Sequence, residues 1–281
     1  MKRITEGERS ADQIREHYLL EKKLATKLKN ASKPERKHLY TRLYNELYQK
    51  LPHHPRWTRP ENYRQKMIKI QRKMDFLKYF LSPEFTFLEI GPGDCLLSRE
   101  ISGHVNRVYA LDVSDEVTRN SEWPENFFFL LSDGINVPIE KESVDIAFSN
   151  QMIEHLHPED ALDQVRNIFG ALKQGGKYIC VTPNRLSGPH DISKYFDKVA
   201  TCFHLKEYTT TELIALFRKT GFSEISFIFR VRGKYFFSKF PRKIIEYTEK
   251  FLNILPHSLS KRLSRTFPVR MIINPIVVAI K

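Results

Sequence analysis

Between residues 85 and 182 five short apolar runs recur with helical stretches between them, and this alternation leaves the chain few architectures. The runs are "FTFLEI" (85–90), "RVYALD" (107–112), "FFFLL" (127–131), "VDIAFS" (144–149) and "KYICVT" (177–182). Each has the length of a strand and is rich in aromatic or β-branched residues. A stretch such as "EDALDQVRNIFGALK" (159–173) carries its apolar residues at helical spacing, and Gly175-Gly176 reads as its stop. Short apolar strands alternating with helices predict a parallel sheet covered on both faces. A long segment (183–209), a helix over about 210–220 with Gly221 as its C-cap, a strand over 223–230 and a closing strand "NPIVVAIK" complete this part.

The flanks read differently. Ile14, Tyr18, Leu19, Leu24 and Leu28 recur at helical spacing, and Leu39, Leu43, Leu47 and Leu51 recur every fourth residue, interleaved with Tyr40, Tyr44 and Tyr48. The tyrosine stripe reads as helix packing rather than as a base-stacking platform. Ser32 is placed to cap the second helix, with Pro34 in its first turn. The prolines of "LPHHPRWTRP" (51–60) end it, and a third helix over about 61–81 leads to the first strand. Residues 232–271 form an insertion in which Tyr235, Phe236, Phe237, Phe240, Phe251 and Leu252 stand among basic residues. The expected divisions are a helical extension (1–80), a core (81–231), the insertion (232–271) and a last core strand (272–281).

Charge follows these divisions. Residues 1–80 hold 21 Lys+Arg against 9 Asp+Glu, residues 81–225 hold 13 against 22, and residues 226–281 hold 12 against 2. An acidic middle thus lies between two basic arms. Such arms suit a membrane surface, an anionic acceptor or nucleic acid, or serve as solvated helix faces. The apolar runs all fall short of a spanning helix, and "MKRITEGERS" has no signal-peptide core. Cys95, Cys180 and Cys202 share no metal-finger or disulfide spacing, so a reducing cytoplasm is the expected setting.

In an open parallel sheet, ligands lie across the carboxyl ends of the strands where strand order reverses. "FLEIGPGDC" brings Glu89, Gly91 and Gly93 to that position, and glycine lets the backbone approach a ligand closely. A dinucleotide loop has a third glycine where this chain has Leu96, which weakens a pyrophosphate reading and with it a nicotinamide oxidoreductase. Asp112, followed by Val113, ends the second strand and is placed to accept from ribose hydroxyls. Asp133, in "LLSDGINVP", can accept from an adenine amino group, with Gly134 beside it. Asn150 and Gln151 stand at the end of the fourth strand, ahead of Glu154 and His155.

The order "FLEIGPGDC", "YALDVS", "LLSDGINVP", "VDIAFSNQMIEHL", "LKQGGKYICVTPN", "HLKEYTTTELIALFRKTGF" resembles a class I S-adenosylmethionine-dependent methyltransferase. It is most similar to the branch of the ubiquinone-biosynthesis O-methyltransferases, over residues 85–230 and 272–281. The resemblance implies a Rossmann-like α/β fold with a seven-stranded, mostly parallel sheet and an antiparallel last strand. It implies S-adenosyl-L-methionine as cofactor, with Glu89, Gly91, Gly93, Asp112, Val113, Asp133, Gly134, Asn150 and Gln151 around it. The family usually has glycine at the position of Cys95. The ubiquinone branch has an acid at the position of Gln151, which with the following Glu-His pair can ligate a divalent cation; here that residue is neutral, and no metal is expected.

Methyl transfer is an in-line displacement in which alignment does much of the work, and an oxygen or nitrogen nucleophile gains from a nearby base. His155, His190 and His204 are the candidate bases. Each has a structural alternative: His155 ordering its turn, His190 and Asp191 forming a turn and cap, His204 with Glu207 and Tyr208 anchoring a loop. The expected acceptor is a small molecule, lipid or saccharide, anionic or membrane-associated. The insertion is expected to act as a lid or substrate element, with peripheral membrane contact as the alternative. A nucleic-acid methyltransferase and a non-catalytic interaction protein are the competing classes. The first lacks a recognisable RNA-binding module, and the intact Gly91, Gly93, Asp112 and Asp133 set argues against the second.

Overall fold

The computed structural model describes residues 9–55, 63–115, 122–238 and 242–281. The start of the third expected helix, at 61–62, and Phe240 of the insertion lie outside them. The strands are β1 (Thr86–Ile90), β2 (Arg107–Asp112), β3 (Phe127–Leu131), β4 (Val144–Asn150), β5 (Leu172–Val181), β6 (Glu224–Val231), β7 (Lys234–Ser238) and β8 (Ile276–Ile280), in the order β3-β2-β1-β4-β5-β8-β6-β7. The first five are parallel, and β8 runs antiparallel to both β5 and β6. This is a Rossmann-like mixed sheet, and its strand order reverses between β1 and β4.

Strand alternation divides the core. Leu88 and Ile90 of β1 face one layer with Ala147, Tyr178 and Val277, while Phe87 faces the other with Ile146, Phe148 and Ile179. The first layer is covered by α1 (Ala11–Asn30), α2 (Lys33–Lys50), α5 (Pro158–Ala171) and α6 (Thr210–Lys219); the second is covered by α3 (Tyr63–Leu77) and α4 (Leu96–Ser102). The insertion adds α7 (Arg242–Ile254), α8 (His257–Ser264) and α9 (Val269–Ile273).

Two features depart from the expected elements. Gly175-Gly176 does not stop a helix: α5 ends at Ala171 and the chain enters β5 at once. A Cβ at Gly176 would come within 2.8 Å of the Lys173 carbonyl and 3.2 Å of those of Asp145 and Val144, so glycine lets the strand pass its neighbour. The sheet also has an eighth strand, because the insertion opens by turning back on β6. Val231 pairs with Lys234, and both turn residues are left-handed, Arg232 at φ 49° and Gly233 at φ 84°. That is the conformation of a tight hairpin turn, which usually announces itself with Asn-Gly. "VRGK" carries arginine there instead, and the signal is hidden.

The N-terminal helices are built into the core. Leu24, Leu28, Leu39, Leu43 and Leu47 are buried in the same cluster as Leu88 and Ile90. At Ser32 the backbone N–H donates to Glu35 Oε2 at 2.8 Å, half of a capping box that starts α2. Arg36, 2 % exposed, donates from Nε and Nη2 to the two carboxylate oxygens of fully buried Asp160 at 2.6 and 2.9 Å. Tyr40 donates its hydroxyl to the same carboxylate at 2.7 Å and accepts from the His157 N–H at 2.9 Å. The insertion is fastened by buried Glu249 of α7, which accepts from Asn184 Nδ2 and from the N–H groups of Thr210 and Thr211 at the start of α6.

Removing one partner of a buried ion pair leaves the other charge uncompensated. Arg36→Met is therefore expected to destabilise the fold by about 3–5 kcal/mol in urea unfolding. A loss below about 1 kcal/mol would mean that the pair is not what holds α2 to α5.

Candidate active site

A cleft of about 240 Å³ opens at the carboxyl ends of β1, β2 and β4, beside the reversal of strand order. Its floor is Gly91, Gly93, Asp112 and Val113; Gly134 closes one side, Gln151, Met152 and His155 the other, and Tyr40, Tyr44 and Tyr48 cover it from α2. The glycines have distinct roles. Gly91 is left-handed at φ +69°, and a Cβ there would meet Met152 Cγ at 2.6 Å, so its freedom serves the loop's own packing. Gly93, at φ +64°, has nothing within 4 Å of an ideal Cβ, and the space beside it is open cleft. Cys95, the departure from the family loop, is also left-handed at φ 55° and fully buried. Glycine's usual presence there follows from that backbone, and this chain trades strain of about 1–2 kcal/mol for a buried thiol.

Asp112 accepts from Gly93 N–H at 3.2 Å and from Val113 N–H at 2.7 Å, tying the glycine loop to the end of β2. Gln164, from α5, lines the cleft at 2 % exposure. Its Nε2 donates to the Gly134 carbonyl at 2.7 Å, and its Oε1 is buried without a donor. An acceptor left in this state fits a ligand that brings an N–H. The open space at Gly93 and the orphan acceptor of Gln164 both suit an adenosine-type ligand.

Three residues expected around the cofactor do not line the cleft. Glu89 shares the parity of Phe87, so its side chain points to the opposite layer, where Ser98 of α4 donates to it and burial raises its pKa to about 7. Asp133 accepts from the N–H groups of Ile135 and Asn136 at 2.9 and 2.7 Å, ordering its own turn while Gly134 faces the cleft. Asn150 is the last residue of β4, and the lining begins at Gln151, which is left-handed at φ 54°.

The three candidate histidines converge, although only His155 lines the cleft. Its Nδ1 lies 2.8 Å from Tyr44 Oη and 3.1 Å from the Phe203 carbonyl. A carbonyl only accepts, so a proton on Nδ1 satisfies this pair of contacts and leaves Nε2 with its lone pair. Burial, then the neighbouring His204, lowers the His155 pKa to about 3, so the ring is neutral at ordinary pH. The His204 ring packs edge-on at 4.8 Å from it. His204 is mostly buried, which opposes its charge, but Glu207 at 2.7 Å, with Glu154 and Asp191, holds its pKa above the ordinary value. Glu207 is lowered to about 2 against the cost of burial, because His190 and His204 both face it; His190 also donates its backbone N–H to it at 2.7 Å. Glu154, raised by burial, accepts from Thr182 Oγ1 at 2.9 Å. Glu154, His155 and His204 bring ligand atoms within 4.8 Å of one another.

The tyrosine stripe is both packing and site. Tyr40 is buried on Asp160, while Tyr44 stacks on Phe203 at 4.4 Å and reaches His155. Its spacing marks a helix face, but nothing local in the sequence says which cleft that face covers.

Fold and cleft together define a Rossmann-like α/β domain with a ligand site where its strand order reverses. Residues 88–180 match the family described as "Methyltransferase domain". The chain is 33% identical over 98 residues to "Phosphoethanolamine N-methyltransferase 1" of Triticum aestivum, a match over 32% of this chain and 20% of that protein. It is 34% identical over 86 residues to "Probable S-adenosylmethionine-dependent methyltransferase/" of Mycolicibacterium smegmatis, over 31% of each. The chain thus spans less than a third of the length of either curated relative. The crystal structure of a "SAM dependent methyltransferase" from Archaeoglobus fulgidus shares the fold, at TM-score 0.52 and 16% identity over 78% of this chain and 96% of that one.

The depressed pKa of His155 fixes a sign. Its contribution to stability is present above 6.5, the value of the free side chain, and is lost as pH falls from there toward about 3. Urea midpoints of the wild type and His155→Gln, compared from about pH 7 to about pH 4, are expected to draw together or cross as pH falls. A constant difference would place the ring in water.

Proposed function

We propose that the protein moves the methyl group of S-adenosylmethionine to an oxygen or nitrogen of a small-molecule, lipid or saccharide acceptor. The observation that carries this reading is the open face of Gly93 beside Asp112, with neutral His155 on the far wall. Asp112 and Val113 would hold the nucleoside, Gly93 would let its amino-acid part pass close to the backbone, and Gln164 Oε1 would accept from an amino group. When bound, S-adenosylmethionine supplies a methyl on a good leaving group. The chain's own residues then exclude water and orient the acceptor: Tyr44 and Tyr48 cover the cleft, and His155 Nε2 takes a proton from the nucleophile. The six motifs in order support a place beside the ubiquinone-biosynthesis O-methyltransferase-like branch; the relative named for phosphoethanolamine keeps nitrogen as an acceptor atom.

Calorimetry is expected to show micromolar binding of S-adenosylmethionine and its demethylated product, and none of NADH. Gly93→Ala strains the loop by about 1–2 kcal/mol but meets no protein atom, so a further loss of affinity, at least about tenfold, reports contact with the ligand. Asp112→Ala should weaken the same binding strongly. Binding of NADH without S-adenosylmethionine would overturn the reading.

A second reading concerns the insertion. On α7, Ile244, Tyr247, Phe251 and Ile254 are 42, 65, 54 and 79 % exposed, opposite buried Ile245 and Leu252. Large apolar side chains in a row on a basic, solvent-facing helix suit the surface of an anionic bilayer. Sedimentation with phosphatidylglycerol vesicles, but not with phosphatidylcholine vesicles, is expected, and Tyr247→Ser/Phe251→Ser should abolish it. Equal sedimentation of the wild type and the double variant would rule out the stripe.

A further inference from the structure

A cleft of about 740 Å³ lies away from the glycine loop, where the β6–β7 turn, α8, α9 and the segment after β5 meet. Four arginines line it, Arg230, Arg232, Arg265 and Arg270, with His190 and Asn274; among the described residues no Asp or Glu contributes to the lining. Elsewhere in this fold guanidinium groups meet carboxylates, as Arg36 meets Asp160 and Arg166 meets Asp163. The two acids of residues 226–281 are committed elsewhere: Glu246 pairs with Lys250 at 2.9 Å, and Glu249 is buried under α7. Four like charges lining one cavity repel one another, and an anion relieves that repulsion.

The cluster is partly held in place without a ligand. Arg265 donates from Nε and Nη2 to the Ser187 carbonyl at 3.1 and 2.7 Å, which leaves the donors of Nη1 outside that bond. The Arg230 guanidinium sits over the Tyr235 ring, 5.8 Å from its centre. His190 Nε2 lies 3.1 Å from Ser187 Oγ. Planar forks set around one cavity suit the several oxygens of a phosphate or pyrophosphate better than a single carboxylate.

We propose that this arginine cleft binds the phosphate or pyrophosphate group of the methyl acceptor. His190 joins it to the other site: it faces Glu207, Glu207 holds His204, and His204 packs on His155. Two side chains, Glu207 and His204, link His190 to His155, so an acceptor held at both ends is an extended phosphorylated molecule. Its identity as acceptor rests on the methyl-transfer reading; the binding of phosphate by these arginines does not.

The test is calorimetric titration of the full chain with inorganic pyrophosphate and, separately, with dihexanoyl phosphatidic acid, which is soluble without a bilayer. Arg230→Gln/Arg232→Gln alters exposed side chains of the β6–β7 hairpin, and Arg265→Gln/Arg270→Gln alters the helical side. Each pair is expected to weaken binding by about tenfold or more, with the affinity for S-adenosylmethionine unchanged. Binding of pyrophosphate lost in both pairs supports the site with a soluble source; binding of the lipid phosphate alone, lost in both pairs, supports it with a lipid source. Failure to bind either probe, or binding that neither pair weakens, overturns the proposal. Loss of S-adenosylmethionine binding in the wild type would instead overturn the methyl-transfer reading and leave the arginine cleft standing.

Discussion

The bond between Arg36 and Asp160 sets the geometry of the cleft. It joins the first turns of α2 to the start of α5, two helices far apart in sequence, and it is bidentate and buried. A pair of this kind adds little stability over an apolar contact, but it tolerates one alignment only. Because Arg36 is fixed, Tyr40 reaches the same carboxylate one turn later, Tyr44 reaches His155 one turn after that, and Tyr48 follows. The helix period of about 3.6 residues carries the constraint along α2, so one ion pair at its start positions the wall of the cleft at its end.

The far wall is organised by charge. Glu207 is held low by the two histidines that face it, and it raises the pKa of His204 in turn. The His204 ring sits edge-on to His155 and adds to the effect of burial in lowering its pKa. The result is a neutral His155 imidazole packed edge-on against a histidine that a buried carboxylate holds. His190 completes the group on the side of the arginine cleft.

Much of this was readable from sequence, and the failures have particular causes. Strands β1 to β4 fall within a residue of the apolar runs, because strands buried on both faces need continuous apolar residues. Gly91, Gly93 and Asp112 could be placed because strand ends and glycine turns are local signals. Glu89 stays off the cleft lining for a reason of parity: an acid near a strand's carboxyl end lines the cleft only if its side chain points to that layer, and alternation sends Glu89 under α4 instead. Asp133 has both its oxygens held by its own turn, which a strand-end acid in sequence does not reveal. Gln164 could not be found, since a glutamine on a helix becomes an orphan acceptor only once Gly134 is packed beside it. The eighth strand escaped because its turn uses a left-handed arginine where Asn-Gly would have announced a hairpin.

That arginine gives the hairpin a meaning beyond its pairing. Arg232 occupies a left-handed position that glycine or asparagine would hold with less strain, and it lines the arginine cleft. Strained backbone persists where the surrounding structure overdetermines it, and such positions gather at functional sites. Cys95 and Gln151, two more of the four left-handed residues that are not glycine among the described residues, stand at the glycine loop and on the lining of its cleft. Glu142, the fourth, lies in the turn before β4, so strain alone does not mark a site. What sets Arg232 apart is that its strain comes with an uncompensated charge. A hairpin can turn on almost any small polar pair; one that places a guanidinium there, opposite three others and with no acid among them, is shaped by an anion as much as by the strand it joins.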